Sequence, residues 1–137
     1  MIKIEAQLLI CENTEFAKSH SIHNVINHII VDALPCVVDV AAFIKVIDLP
    51  AINTTDLDLV AFDSEGNLLN NFPTFALRNY RDLDQTPGVD LNLNIQLVIL
   101  KSGIINFQLY LNKEKTTFYP LTVRIHNESS SVTNKEY

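Results

Sequence analysis

The stretch that decides the fold reads Val89-Asp90-Leu91-Asn92-Leu93-Asn94-Ile95-Gln96-Leu97-Val98-Ile99-Leu100. Apolar residues alternate with Asp, Asn and Gln through most of it, which is the period of a strand with one buried face. A second alternating run spans residues 105–111, after the short connection Lys101-Ser102-Gly103. Two such runs around a short glycine-containing loop predict a β-hairpin.

The same two-residue period recurs elsewhere in the chain. It places Ile2, Ile4, Ala6, Leu8 and Ile10 on one strand face. Further strands are predicted at residues 37–49, at 57–61, near 75–77 and at 121–125. Residues 21–31 are rich in Ile and Val and lack a helix cap, so strand is favoured there over helix. Residues 63–67 read as a turn with Gly66 at a positive φ. Residues 113–115 read as a second loop, and residues 78–88 as a longer one. Pro120 indicates that the last strand begins at an edge or carries a bulge.

About seven or eight short-spaced strands without a long helix predict an all-β fold. The expected architecture is an antiparallel β-sandwich of immunoglobulin-like or C2-like layout. Residues 1–126 are predicted to form a single domain, followed by a polar tail at 127–137 that we expect to be mobile. The apolar content of 47% is enough for a core without disulfides.

Composition also disfavours several function classes. Only ten Lys and Arg are present, scattered along a chain of net charge −6, so we expect no nucleic-acid partner. Three glycines leave no room for a glycine-rich phosphate loop. No run approaches the ~20 apolar residues of a membrane span, and the first residues lack the pattern of a secretion signal. We therefore expect a cytoplasmic protein without a membrane partner. Cys11 and Cys36, each beside apolar residues, are interpreted as reduced, buried thiols, with a disulfide as the alternative.

Three histidines, His20, His23 and His28, fall within nine residues and are the first candidate site. A metal would need two or three of them to converge, with help from a carboxylate or from Cys11. On a strand, His23 and His28 point to opposite faces because their separation is odd. Ordinary loop and strand histidines are the favoured interpretation.

Acidic residues form the second candidate. Asp82, Asp84 and Asp90 flank a loop, and loops at one end of a sandwich can bind calcium through clustered carboxylates. Asp56 and Asp58 share a strand face. A solvated acidic surface is the favoured interpretation, with calcium as the alternative.

The remaining candidates carry weaker signals. None of the serines Ser19, Ser21, Ser64 and Ser102 sits in a Gly-x-Ser-x-Gly elbow. The aromatic residues Phe72, Phe75, Tyr80 and Tyr119 could line a ligand groove, although phenylalanine is more often core. The sequence predicts no catalytic, cofactor-binding or metal residue, and hence a protein that is not an enzyme.

Several segments resemble one protein family. They are Leu8-Leu9-Ile10-Cys11-Glu12, then residues 22–29, the Leu34-Pro35 step, and the turn Phe62-Asp63-Ser64-Glu65-Gly66-Asn67. Together with the strand pair around Gly103, they resemble an uncharacterised prokaryotic small β-sandwich family over about residues 1–126. Members often carry glycine where this chain has residues 18–21 and Asn24. The resemblance implies the sandwich fold and brings no catalytic residues.

These observations favour a non-enzymatic β-sandwich that acts through protein–protein interaction, as an adaptor, regulator or assembly component. The expected partner is another protein or a second copy of the chain. An edge strand near residues 116–126 and the tail are the expected contact regions. The alternative is a sandwich that binds a small molecule or calcium.

Overall fold

The computed structural model describes residues 3–126 and contains ten β-strands there. They are β1 (Glu5–Phe16), β2 (His20–Val25), β3 (His28–Val31), β4 (Cys36–Ile47), β5 (Thr55–Phe62), β6 (Leu68–Asn71), β7 (Phe75–Leu77), β8 (Gly88–Ile99), β9 (Gly103–Leu111) and β10 (Glu114–Ile125). The predicted polar tail and Ile2 lie outside the described residues. Within residues 3–126, no helix is long and apolar enough to span a bilayer.

The strands form two sheets that pack face to face. One sheet has four strands in the order β2-β1-β4-β8. The other has six: its order is β3-β10-β9-β5-β6, and β7 pairs with β5 beside β6. All pairs are antiparallel except β3 with β10. The predicted all-β immunoglobulin-like sandwich is confirmed, with ten strands in place of seven or eight.

Two features raise the strand count. Residues 21–31 were expected as one strand, but the chain leaves the four-stranded sheet after Val25 and enters the other sheet at His28. The short strand β6 was not predicted, because four residues are too few for alternation to show.

The core lies between the sheets and follows the predicted alternation. The largest fully buried side chains include Ile10, Ile44, Leu59, Leu97 and Phe107, which come from β1, β4, β5, β8 and β9. The predicted inward faces at Leu57, Leu59 and Ala61, and at Leu121 and Val123, are buried. Period two therefore assigned the buried faces of β1, β5, β8, β9 and β10 correctly.

The predicted hairpin between residues 89 and 111 is wrong. Both strands exist, but β8 pairs with β4, whereas β9 pairs with β5 and β10 in the other sheet. The connection at residues 100–102 crosses between the sheets and ends at Gly103, which has a φ of 131°. Alternation shows which face of a strand is buried. It does not show which strand lies beside it.

A hairpin does join β9 to β10. Its two-residue turn is Asn112-Lys113, with φ of 50° and 69°. Positive φ at both central residues is the mark of a type I′ turn, whose twist suits a tight hairpin. The predicted loop at residues 113–115 is therefore shorter and starts one residue earlier.

The edge and the bulge predicted for the last strand are found, but the strand begins earlier than expected. β10 begins at Glu114, before Pro120, and its irregularity lies between Lys115 and Thr117. Its first part, from Glu114 to Leu121, pairs with β9 alone and is an edge, as predicted, whereas β3 pairs with its far side from Thr122 to Ile125. Pro120 is tolerated because it lies before the stretch that pairs with β3, where β10 has a neighbour on one side only.

The turn predicted at residues 63–67 is confirmed. Asp63 accepts hydrogen bonds at its carboxylate from the N–H groups of Glu65 (2.9 Å) and Asn67 (2.8 Å). Gly66 has a φ of 84°. The N–H of Asn67 foremost, with lesser help from Lys101, holds the pKa of Asp63 below its ordinary value.

Two residues, Ile26 and Asn27, carry the chain from β2 to β3 across the edge of the sandwich. The N–H of Ile26 donates to the carbonyl of Ile10 (3.0 Å), and the N–H of Thr122 donates to the carbonyl of Asn27 (3.0 Å). The hydroxyl of Tyr119, on β10, donates to the carbonyl of Ile26 at 2.6 Å. The crossing segment is thus tied to both sheets.

Candidate interaction surface

The three candidate histidines do not converge. The imidazole of His20 packs against the rings of Phe16 and Phe43, with centroids 4.8 and 5.5 Å away. His23 lies 2.9 Å from the carboxylate of Glu15, on the neighbouring strand. His28 is on β3, in the other sheet. Each histidine has its own surroundings, although His23 and His28 are separated by the crossing between the sheets and not by the two faces of one strand.

The candidate acidic residues are separated as well. Asp90 pairs with Lys45 (2.9 Å) and Arg81 (3.1 Å), so its charge is balanced on the outer surface of the four-stranded sheet. The carbonyl of Asp82 accepts from the N–H of Gln85 in a turn of the exposed loop. Across residues 3–126, no three His, Cys, Asp or Glu side chains are grouped to hold a metal ion.

The two cysteines are free. Cys11 lies opposite Ala41 in the register of β1 and β4, five residues along β4 from Cys36. At ~3.3 Å per residue this is ~16 Å, too far for a disulfide. Cys11 is fully buried and Cys36 partly so, and burial raises the pKa of the Cys11 thiol.

The candidate aromatic residues lie in different places. Tyr80 is 75% exposed, beside the tip of the β1–β2 hairpin. Phe72 lines a cleft of about 490 Å³ with Asp58 and Tyr110, on the opposite sheet. Tyr119 is the tie to Ile26 described above, and burial raises its pKa. They form no common groove.

The feature that stands out is the outer face of the six-stranded sheet, over β5, β9 and β10. The register sets its outward side chains in rows, which we call the β5–β9–β10 face. One row holds Phe62, Asn106 and Pro120; the next holds Val60, Gln108 and Phe118; Ile104 and Thr122 lie beside the first row. None of these eight residues is charged. Ile104 is 51% exposed and Phe118 is 54% exposed.

Charged groups lie around this face and not within it. At one end, Lys113 lies 3.8 Å from Asp58, and the ammonium of Lys115 lies 5.5 Å from the centre of the Phe118 ring. At the other end, His28 pairs in register with Thr122 and Ile30 pairs with Arg124. An uncharged centre with exposed aromatic and aliphatic side chains and a charged rim is the usual composition of a protein-binding surface.

Sequence reasoning pointed to residues 116–126 as a contact region, and this stretch supplies Phe118, Pro120 and Thr122 to the face. The predicted edge is correct for residues 116–121, which pair with β9 alone, and wrong for residues 122–125, which also pair with β3. The residues contributed by β5 and β9 were missed. The outward positions of these three strands lack charged residues, and this pattern is visible in the sequence. It indicates a shared surface only when the three strands are known to be neighbours.

Comparison with known proteins supports the fold alone. No family model matches the chain, and no curated protein matches it in sequence. The alkylpurine DNA glycosylase AlkC of Pseudomonas fluorescens, solved with DNA containing an abasic site analogue, aligns with 88% of this chain at a TM-score of 0.52 and 11% identity. This chain spans 30% of that glycosylase chain. An immunoglobulin-like protein from Pseudomonas aeruginosa aligns over 90% of this chain and 98% of its own, with a TM-score of 0.49 and 8% identity. The chain is a two-sheet β-sandwich, and part of the glycosylase chain has a similar fold.

Proposed function

We propose that this protein is a non-enzymatic β-sandwich that binds another protein through the β5–β9–β10 face, as an adaptor, regulator or assembly component. The observation that carries the proposal is the uncharged centre of that face, with Ile104 and Phe118 about half exposed. Charged residues are depleted and aromatic residues enriched at the centres of protein interfaces.

The face is also rigid, which lowers the entropic cost of binding. β9 is paired on both sides, with β5 and with β10, along most of its length. The hydroxyl of Tyr110 donates to the side-chain oxygen of Gln108 at 2.8 Å, which fixes two polar groups on the face. A partner therefore meets a surface that is already ordered.

The partner we expect presents an apolar patch with a mixed-charge border, because the rim here carries both Asp58 and basic groups. Nucleic acid and membranes are not expected partners of a chain with net charge −6 and no uninterrupted basic patch. The cytoplasm is the proposed location, supported by the two free thiols. The resemblance to the uncharacterised prokaryotic sandwich family supports the same general role.

The test is affinity capture from the native host with identification and reciprocal capture of the partner. Phe118→Lys and Ile104→Lys should each abolish capture, because each places a charge at the centre of the contact. Leu83→Lys, in the exposed loop, is the matched control and should leave capture unchanged. If the face variants retain the partner, this face is not the binding surface.

A further inference from the structure

The four-stranded sheet ends at β8, and the outer edge of that strand pairs with no other strand of the described residues, although Asn70 of β6 contacts it near one end. β8 has twelve residues and pairs with β4 without interruption, from Gly88 opposite Ile47 to Ile99 opposite Cys36. In an antiparallel strand, alternate residues turn both their N–H and their C=O to the same side.

Hydrogen bonds at the two ends show which residues face the free edge. The N–H of Gly88 donates to Asn79 Oδ1 (2.9 Å), and its carbonyl accepts from the N–H of Tyr80 (3.3 Å). Near the other end, the carbonyl of Gln96 accepts from Asn70 Nδ2 (3.1 Å). None of these partners belongs to β4, so Gly88 and Gln96 turn outward.

The residues that alternate between these two, Asp90, Asn92 and Asn94, therefore turn outward as well. Their three N–H and three C=O groups pair with no strand of residues 3–126. Leu91 and Leu93, on the core side of the same stretch, are only partly buried, whereas Ile95 further along is fully buried. This half of the strand lacks both a hydrogen-bonded neighbour and full cover.

The other sheet edges are protected and this one is not. β3, β6 and β7 have four, four and three residues, and β2 contains Asn24 with a φ of 54°. Short or irregular edge strands discourage pairing with other chains, as do lysine, proline and bulges. From Leu91 to Ile99, β8 has no charge, no proline and no bulge.

We propose that β8 pairs antiparallel with β8 of a second copy of this chain, around a two-fold axis at Asn92. Asn92 then lies opposite Asn92 of the second copy, and Asp90 lies opposite its Asn94. The three outward residues of each copy form six backbone hydrogen bonds. Two four-stranded sheets join into one of eight strands. Because Gly88 of one copy then faces Gln96 of the other, the bonds that Asn79, Tyr80 and Asn70 make to these two residues are released on pairing.

Charge and register favour a second copy as the occupant. Two chains of net charge −6 repel, so a contact between them must be locally neutral. The stretch meets this condition: Asp90, already paired with Lys45 and Arg81, faces the uncharged Asn94. On the core side, Leu91 lies opposite Leu93, and both gain cover. The pairing uses a different sheet from the proposed partner-binding face and goes beyond that proposal.

The test is the molar mass of the full chain in solution, from light scattering after size-exclusion chromatography. Asn94→Pro removes an N–H that points to the free edge of β8. The monomer tolerates this loss because the N–H has no partner there, whereas the dimer loses a hydrogen bond between the two β8 strands. Asn92→Lys leaves the backbone unchanged and sets two lysines directly opposite each other, which should weaken association about fivefold or more. Gln108→Lys, on the β5–β9–β10 face, is the matched control.

The expected result is a dimer for the wild type and for Gln108→Lys, a monomer for Asn94→Pro at the same concentrations, and a dissociation constant about fivefold higher or more for Asn92→Lys. In the wild type, the amides of Asp90, Asn92 and Asn94 should exchange slowly with deuterium, and in folded Asn92→Lys quickly. A monomeric wild type overturns the proposal. So does a dimer that survives both β8 substitutions, or one that is lost in Gln108→Lys.

Discussion

Tyr119 offers the sharpest test of how the two sheets are held together. Its hydroxyl donates to the carbonyl of Ile26 at 2.6 Å and lies 3.2 Å from Asn27 Oδ1. No other hydrogen bond to the Ile26 carbonyl is made within residues 3–126. Tyr119→Phe keeps the ring, which packs against the core, and removes only the hydroxyl.

The expected loss can be worked from this geometry. A typical protein hydrogen bond contributes about 1 kcal/mol, and a carbonyl left without a partner adds to the loss when water cannot reach it. Ile26 is partly exposed, so some replacement by water is expected. We therefore expect Tyr119→Phe to lower the free energy of unfolding by about 1–2 kcal/mol. For a chain of this length, that is a fall in Tm of roughly 3–8 °C.

The assay is urea unfolding at neutral pH, followed by fluorescence and circular dichroism, with Tyr80→Phe as the control. Tyr80 is 75% exposed, so its hydroxyl should contribute less than about 0.5 kcal/mol. The midpoint should fall for Tyr119→Phe, with the slope m unchanged. Equal stability of the two variants would refute the idea that this hydroxyl ties the sheets together.

The pH dependence supplies a second readout. Burial foremost, and then the nearby Cys11, raises the pKa of Tyr119 above its ordinary value of 10.0. The unfolded chain therefore loses this proton first as the pH rises, and it binds fewer protons than the folded chain. Stability should fall above about pH 10. In Tyr119→Phe this fall should be shallower, whereas in Tyr80→Phe it should not change.

Three further predictions concern other parts of the molecule. Gly88→Ala would place a Cβ 2.2 Å from the carbonyl oxygen of Val46, so the strand must shift. The free energy of unfolding should fall by about 1–3 kcal/mol, as measured by urea titration. Asn94→Ala, on the same strand, is the control. Asp63→Asn removes a carboxylate whose pKa is held below 3.8. The lowered pKa stabilises the folded chain above that pH, and this stabilisation is lost as the pH falls. Tm should therefore drop less between neutral and acidic pH in Asp63→Asn than in the wild type, and an equal drop in both would contradict this role of Asp63. Tm should be the same in calcium and in chelator, since Asp90 is engaged by Lys45 and Arg81 and does not join Asp82 and Asp84 in a metal site; a rise of Tm with calcium would contradict this.

Much of the sandwich could be predicted from the sequence because the alternation of apolar and polar residues marks the buried face of a strand. The alternation around Leu91 to Ile99 gave the strand and its buried face. Strand partners could not be predicted, because pairing depends on contacts between distant segments. The same apolar pattern serves a hairpin and a crossing between sheets, so β8 and β9 were assigned wrongly to one hairpin.

The candidate surface was harder to predict than the fold. Ile104, Phe118 and Val60 come from three strands. They become neighbours only because β5, β9 and β10 pair side by side. Each looks like an ordinary strand residue in the sequence. The histidines show the same limit, since the odd spacing of His23 and His28 was interpreted on a single strand, whereas the chain changes sheets between them.

The route of the chain has a consequence for how the protein is made. The chain passes through the other sheet twice, at β3 and at β5 to β7, before β8 completes the four-stranded sheet. β3 pairs with β10, which lies more than ninety positions later in the chain. Neither layer can be completed from a contiguous fragment. On the ribosome, the emerging polypeptide must remain without its final packing until nearly all of it has left the exit tunnel. Its apolar strands are then exposed for most of synthesis, so chaperone occupancy during translation should be long for a protein of this size.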